Sequence, residues 1–164
     1  MLWSGRIAVF ARLGEKRVTS GPTPSDYAGD ISVADAWELL RGNPAAQIVD
    51  VRTSAEWNYV GLPDLSSMGR KVHTVEWQSF PSGQPNPAFV GEAAQALGNI
   101  TPDTPVMFLC RSGVRSRAAA IAMTRAGFSR AYNIAGGFEG DRDGERHRGA
   151  ANGWKAAGLP WKQT

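Results

Sequence analysis

This chain of 164 residues is poor in the side chains that most often carry chemistry: Cys110 is its only cysteine, and His73 and His147 are its only histidines. A single cysteine excludes an internal disulfide and an internal resolving thiol. Two scattered histidines without a cysteine cluster offer no metal-ligand spacing, so no metal is expected, and the thiol chemistry read below implies no organic cofactor. His73, alone on an alternating stretch, reads as a surface or satisfied core residue. Long apolar runs are missing as well. The longest falls far short of the roughly 18–20 residues that span a bilayer, so no membrane partner is expected. Charge of one sign is not concentrated either: 18 Lys and Arg against 15 Asp and Glu leave +3. No interleaving of aromatic and basic residues builds a nucleic-acid platform, so no nucleic-acid partner is expected. A lone thiol suits a reducing compartment, and a cytoplasmic location is expected.

What is present suits one globular domain with a sizeable core. Residues 1–28 read as an N-terminal extension and linker, and 29–164 as a single folded domain. Met1–Leu13 is partly amphipathic and has no acid before Glu15, weakly like an organelle transit peptide. A loosely docked extension is the preferred reading, and Thr19–Ser25 is a linker by composition. Ser32 with Asp35 opens a helix whose Val33, Ala36, Trp37 and Leu40 share one face, with Gly42 at its end. Ala46–Val51 reads as a short buried strand. Thr53 and Glu56 form a second capping box over Ser54–Tyr59. Lys71–Trp77 alternates as a strand does, and the proline- and glycine-rich Ser79–Pro87 reads by default as a connection, with a place bordering the active site as the alternative. A helix follows over Pro87–Leu97, with Asn86 as its cap and Gly98 as its stop. Ser116–Arg125 reads as a helix with Ala118, Ala119 and Ala122 against the sheet, and Ala131–Ile134 as a strand. The alternation of strands and helices predicts an α/β fold of three layers, with a short, mainly parallel, five-stranded sheet flanked by helices.

The most informative stretch runs from Val106 to Met123. Four apolar residues lead into Cys110; then come Arg111-Ser112-Gly113-Val114-Arg115 and an alanine-rich helix. This places the cysteine at the C-terminal end of a strand, the edge where open α/β sheets bind ligands. Loop amides, a helix N-terminus and two arginines around a thiol favour the thiolate, its nucleophilic form. Gly113 suits a backbone conformation that a Cβ would resist. The arginines favour an anionic substrate.

Cys-Arg-Ser-Gly-Val-Arg, followed by Ser-Arg and that helix, resembles the active-site loop of the rhodanese superfamily of sulfurtransferases. Asp50-Val51-Arg52 with Glu56, the Gly136-Gly137 pair and the terminal Gly153-Trp154 with Gly158-Leu159-Pro160 resemble the same family. The likeness runs from about Asp30 to Pro160. Val60-Gly61-Leu62-Pro63 departs from the pattern, since the family often has a histidine at this corner. The resemblance implies that Cys110 carries sulfur as a persulfide. It implies that Arg111, Ser112, Gly113, Val114 and Arg115 bind the substrate, and that Asp50, Arg52, Glu56 and Ser116 support them. Arg52 and Glu56 are close enough in sequence to pair across the helix start. The donor would be a small anion such as thiosulfate or a persulfide, and the acceptor a thiol, cyanide or a protein. Related phosphatases place their arginine one residue further on, where this chain has Ser116, and a histidine where it has Leu109. A phosphatase or arsenate-reductase-like enzyme is therefore the weaker alternative, beside a non-catalytic binding or regulatory module. The charged stretch Glu139–Gly149 reads as a solvated loop, with acceptor docking as the sharper alternative.

Overall fold

The structure is a computed structural model that describes residues 26–164. The expectations for Met1–Leu13 and Thr19–Ser25 lie outside the described residues. Five strands form one parallel sheet: β1 (Gly29–Ile31), β2 (Gln47–Asp50), β4 (His73–Thr74), β5 (Val106–Leu109) and β6 (Ala131–Ile134), in the order β1-β6-β5-β2-β4. Two further strands, β3 (Leu62–Pro63) and β7 (Trp161–Lys162), pair antiparallel as a separate ribbon. The helices are α1 (Val33–Gly42), α2 (Ser54–Tyr59), α3 (Phe89–Leu97), α4 (Val114–Arg125) and α5 (Gly153–Ala156).

The three layers follow from the alternation of side chains along the central strand. Val106 and Phe108 face one core, which contains Phe89, Ala93 and Leu97 of α3 and Ala119, Ala120 and Met123 of α4. Met107 and Leu109 face the other, with Ala36 and Leu40 of α1, Phe138, and Trp154 of α5. Every residue of β5 is buried, as expected of a strand covered on both faces. Cys110 continues the first face and lies with the α3–α4 core.

Local chemistry explains the helix starts. Ser32 Oγ accepts from the Asp35 amide at 3.0 Å. Thr53 and Glu56 close a reciprocal capping box, each accepting from the other's backbone amide. Asn86 is not the cap of α3. Its side chain accepts from the Ala88 amide at 3.0 Å in a turn, and the helix begins two residues after Pro87. The packed face of α4 is Ser116, Ala119, Ala120 and Met123 rather than Ala118, Ala119 and Ala122. That i, i+3, i+4, i+7 set is one face of the helix, which starts at Val114, two residues earlier than the sequence indicated. The alternating stretch at Lys71 pairs regularly only over His73–Thr74, although the Val75 and Trp77 amides still reach the carbonyls of Asp50 and Val51. No helix among the described residues is long and apolar enough to cross a membrane.

Candidate active site

β5 ends at Leu109, and α4 begins at Val114. The turn between them wraps the Cys110 sulfur. Gly113, at φ +113°, caps the helix, and its amide donates to Cys110 Sγ at 3.1 Å. The first amides of α4 have no partner within the helix by geometry, and the helix begins one residue after the Gly113 amide that bonds the thiol. Ser116, one turn into α4, places its Oγ 3.1 Å from Sγ. Cys110 is only 1 % exposed, yet it lines the floor of an open cavity of about 800 Å³. A reactant must therefore come down to the sulfur through this cavity.

Of the site residues read from the sequence, Cys110, Arg111, Ser112, Val114, Arg115 and Glu56 line the cavity. Ser116 is buried behind the sulfur, and Asp50 and Arg52 lie fully buried beneath the loop. Arg52 does not pair with Glu56. Its Nε donates to Asp50 Oδ1 at 2.9 Å, its Nη2 donates to the Gly61 carbonyl at 2.7 Å, and its guanidinium lies 4.3 Å from the centre of the Phe138 ring. The side chain turns into the core ahead of α2, whereas the capping box directs Glu56 toward the cysteine loop. There Glu56 meets Arg115 in a two-pronged pair, with both N–O distances 2.8 Å. Burial pushes the Glu56 carboxyl up, but the bonds from Arg115 and the Thr53 amide outweigh this and hold it at about 2. The bond to Glu56 in turn raises Arg115 above its ordinary value. The arginine that ends the six-residue loop is thus anchored to α2 and fixes the loop's shape.

This pair has a measurable pH signature. Glu56 titrates lower in the folded protein than its ordinary 4.5, so its contribution is complete above about 4.5 and is lost as pH falls toward about 2. Allowing for the part of the pair that reaches solvent, the loss is about 2 kcal/mol. Urea unfolding at neutral pH and at about pH 3, where somewhat over half of that loss has occurred, should show wild type losing about 1 kcal/mol more stability than Glu56→Gln. Equal losses in the two proteins would contradict the pairing.

The amides that hold the loop from behind gave no local signal in the sequence. Phe138, Glu139 and Gly140, just after the glycine pair, donate their amides to the carbonyls of Cys110 and Arg111 at 2.8–3.1 Å. This clamps the start of the loop from behind. Gln78, Ser79, Phe80, Pro81 and Gly83 form one wall of the cavity, so the stretch read as a connection borders the site. Glu139 and Arg148, at the two ends of the charged stretch, reach another wall. That stretch is held by its own bonds, including Arg148 Nη1 to the Gly140 carbonyl at 2.6 Å and the Gly149 amide to the Glu139 carbonyl at 2.7 Å. His73 bonds Gln47 at 2.9 Å in the sheet, and no group of His, Cys, Asp and Glu among the described residues could hold a metal ion.

A five-stranded parallel sheet with a cysteine loop running from its central strand into a helix defines a rhodanese-like domain. The comparisons agree. A family model described as the STR4 middle domain matches residues 28–164, and the chain belongs to this family. An uncharacterized protein of Rickettsia conorii, RC0915, is 36 % identical over 134 residues, covering 81 % of this chain and 96 % of its own. The crystal structure of Rv0390 from M. tuberculosis superposes with a TM-score of 0.76 at 53 % identity, over 84 % of this chain and 99 % of that one. A protein named thiosulfate sulfurtransferase GlpE, from Actinobacillus pleuropneumoniae, is 25 % identical over 136 residues, 83 % of this chain and 94 % of its own.

Proposed function

We propose that this protein is a sulfurtransferase that carries sulfane sulfur on Cys110. The carrying observation is the Gly113 amide bonded to a thiol at the floor of an open cavity, where a strand ends and a helix begins. The likeness to a named thiosulfate sulfurtransferase supports the same reading.

In the first half-reaction the Cys110 thiolate attacks the outer sulfur of a thiosulfate-class donor. A new sulfur–sulfur bond forms, the donor's own sulfur–sulfur bond breaks, and sulfite leaves with the electron pair. The outer sulfur of the persulfide then bears the negative charge. The amides of the turn and of the α4 N-terminus are the donors suited to hold it. Arg111, exposed on the cavity wall, draws the anion in. Arg115, anchored by Glu56, keeps a positive charge beside the sulfur. In the second half-reaction an acceptor nucleophile, a thiol or cyanide, takes the outer sulfur and returns the thiolate. The chain has no second cysteine, so turnover runs through an external acceptor. A thiol that must stay reduced between turnovers suits a reducing compartment such as the cytoplasm. Residues 29–164 act as one catalytic domain in this account.

The test is thiocyanate production from thiosulfate and cyanide. Wild type should turn over and Cys110→Ala should not. Equal rates for the two proteins would refute the role of Cys110.

A further inference from the structure

Behind the sulfur, away from the cavity, a chain of polar side chains runs from Cys110 to the far edge of the sheet. Ser116 Oγ lies 2.6 Å from Asn133 Oδ1. Asn133 Nδ2 donates to Asp30 Oδ1 at 2.9 Å. Asp30 also accepts from the Tyr27 hydroxyl at 2.8 Å and from Arg117 Nη2 at 3.2 Å. Ser116 and Asn133 are 0 % and 1 % exposed, so neither can turn to water for a partner. A hydrogen-bonded run of this kind, through a buried asparagine, demands a reason beyond packing.

Counting protons gives one. Burial pushes Asp30 up, but the bonds from Asn133 and Tyr27 and the charge of Arg117 outweigh it, so Asp30 is an anion at neutral pH. A carboxylate only accepts, so the Asn133 NH₂ must face Asp30 and its carbonyl must face Ser116. A carbonyl also only accepts, so the Ser116 hydroxyl must donate to it. A hydroxyl has one proton. The 3.1 Å contact from Ser116 Oγ to Cys110 Sγ is therefore left without a donor from the serine; a thiol can fill it with its own proton and a thiolate cannot. For a thiolate to take a bond from Ser116, the hydroxyl must leave Asn133 and strand its buried carbonyl.

We propose that Asn133, oriented by Asp30, is a positioning residue that holds the Ser116 proton away from the sulfur and so disfavours the Cys110 thiolate relative to forms in which Sγ carries no charge. The persulfide is such a form, because its charge sits on the outer sulfur. The network thus biases the protein toward the sulfur-loaded state. This last step rests on the proposed sulfur chemistry; the effect on the thiol does not.

The other charged groups around the sulfur lie outside the Ser116–Asn133–Asp30 run, although Arg115 precedes Ser116 on α4. They are Arg115 with Glu56 of α2, the Asp50–Arg52 pair at the end of β2, Arg111 in the turn, and Glu139 and Arg148 on the cavity wall.

The experiment is a pH titration of thiolate ultraviolet absorbance on the full chain, with Cys110→Ser as the baseline; a single cysteine makes the signal unambiguous. Asn133→Leu removes the competing acceptor. Asp30→Ala, at a partly exposed position, lets the Asn133 amide rotate and donate to Ser116. Each should lower the titration midpoint by about one pH unit, a tenfold gain of thiolate below the midpoint. In a Ser116→Ala background, Asp30→Ala should have no effect, since the serine relays it. An unchanged or raised midpoint would overturn the proposal. So would a shift that persists without Ser116, which would mark a through-space charge effect. Thermal melts report whether each variant folds; if Asn133→Leu does not, the Asp30→Ala and Ser116→Ala cycle decides alone. At a pH above both midpoints, the ratio of loaded to free protein at fixed thiosulfate and sulfite should also fall about tenfold. A shifted titration with no loading in any protein would leave the network standing and refute the sulfurtransferase reading instead.

Discussion

Asp50→Ala should destabilise the protein by about 4 kcal/mol, more than most core truncations of similar size. Asp50 and Arg52 are both fully buried, and Asp50 takes two of the arginine's nitrogens. Removing the carboxylate leaves a guanidinium in the core with the Gly61 carbonyl and the face of Phe138 for company. The cost is mostly that of a stranded charge, not of the lost attraction. The double variant Asp50→Ala/Arg52→Met should therefore recover part of the loss, because it removes the stranded charge as well. Denaturant unfolding of the two proteins measures this. A double variant less stable than Asp50→Ala would contradict the account. The chain turns through Arg52 into the capping box of α2, so this pair also fixes where Glu56 starts its reach toward Arg115.

Gly137→Ala should be nearly as damaging, at about 3 kcal/mol or more, and should cost sulfur loading as well. At φ +62°, a Cβ there would overlap the carbonyl oxygen of Cys110 and lie 2.6 Å from the carbonyl carbon of Arg111. These are backbone atoms of the cysteine turn and cannot give way without moving it. Gly69 is the control. It has φ +63°, with nothing near its would-be Cβ, so Gly69→Ala should cost only about 1 kcal/mol of backbone strain. Similar losses at the two positions would mean that the clamp on the turn has no role.

Much of the fold was legible because it is local. The run from Val106 into Cys110 and on into the alanine-rich helix sets strand, turn and helix within a few residues. Thr53 and Glu56 announced their helix start for the same reason. What stayed hidden is set by contacts across the chain. The sequence offered Glu56 a partner four residues before it in Arg52, but the partner it takes, Arg115, is 59 residues away. Asn133 and Asp30 lie 103 residues apart and meet only because β1 and β6 are neighbours in the sheet. The glycine pair was visible in the sequence. Its task, donating the next amides to the carbonyls of Cys110 and Arg111, depends on the turn folding back over β5. The wall contributed by Ser79–Gly83 was legible only as an alternative, since glycine and proline mark a turn without saying what it borders.

The central claim is that Cys110 carries the sulfur. Intact-protein mass spectrometry after incubation with thiosulfate tests it most directly, on wild type and Cys110→Ala, with cyanide added afterwards. The account predicts that wild type gains one sulfur atom, that cyanide removes it, and that Cys110→Ala gains none. Wild type gaining no sulfur from thiosulfate or from a small-molecule persulfide, or Cys110→Ala gaining as much as wild type, would contradict it.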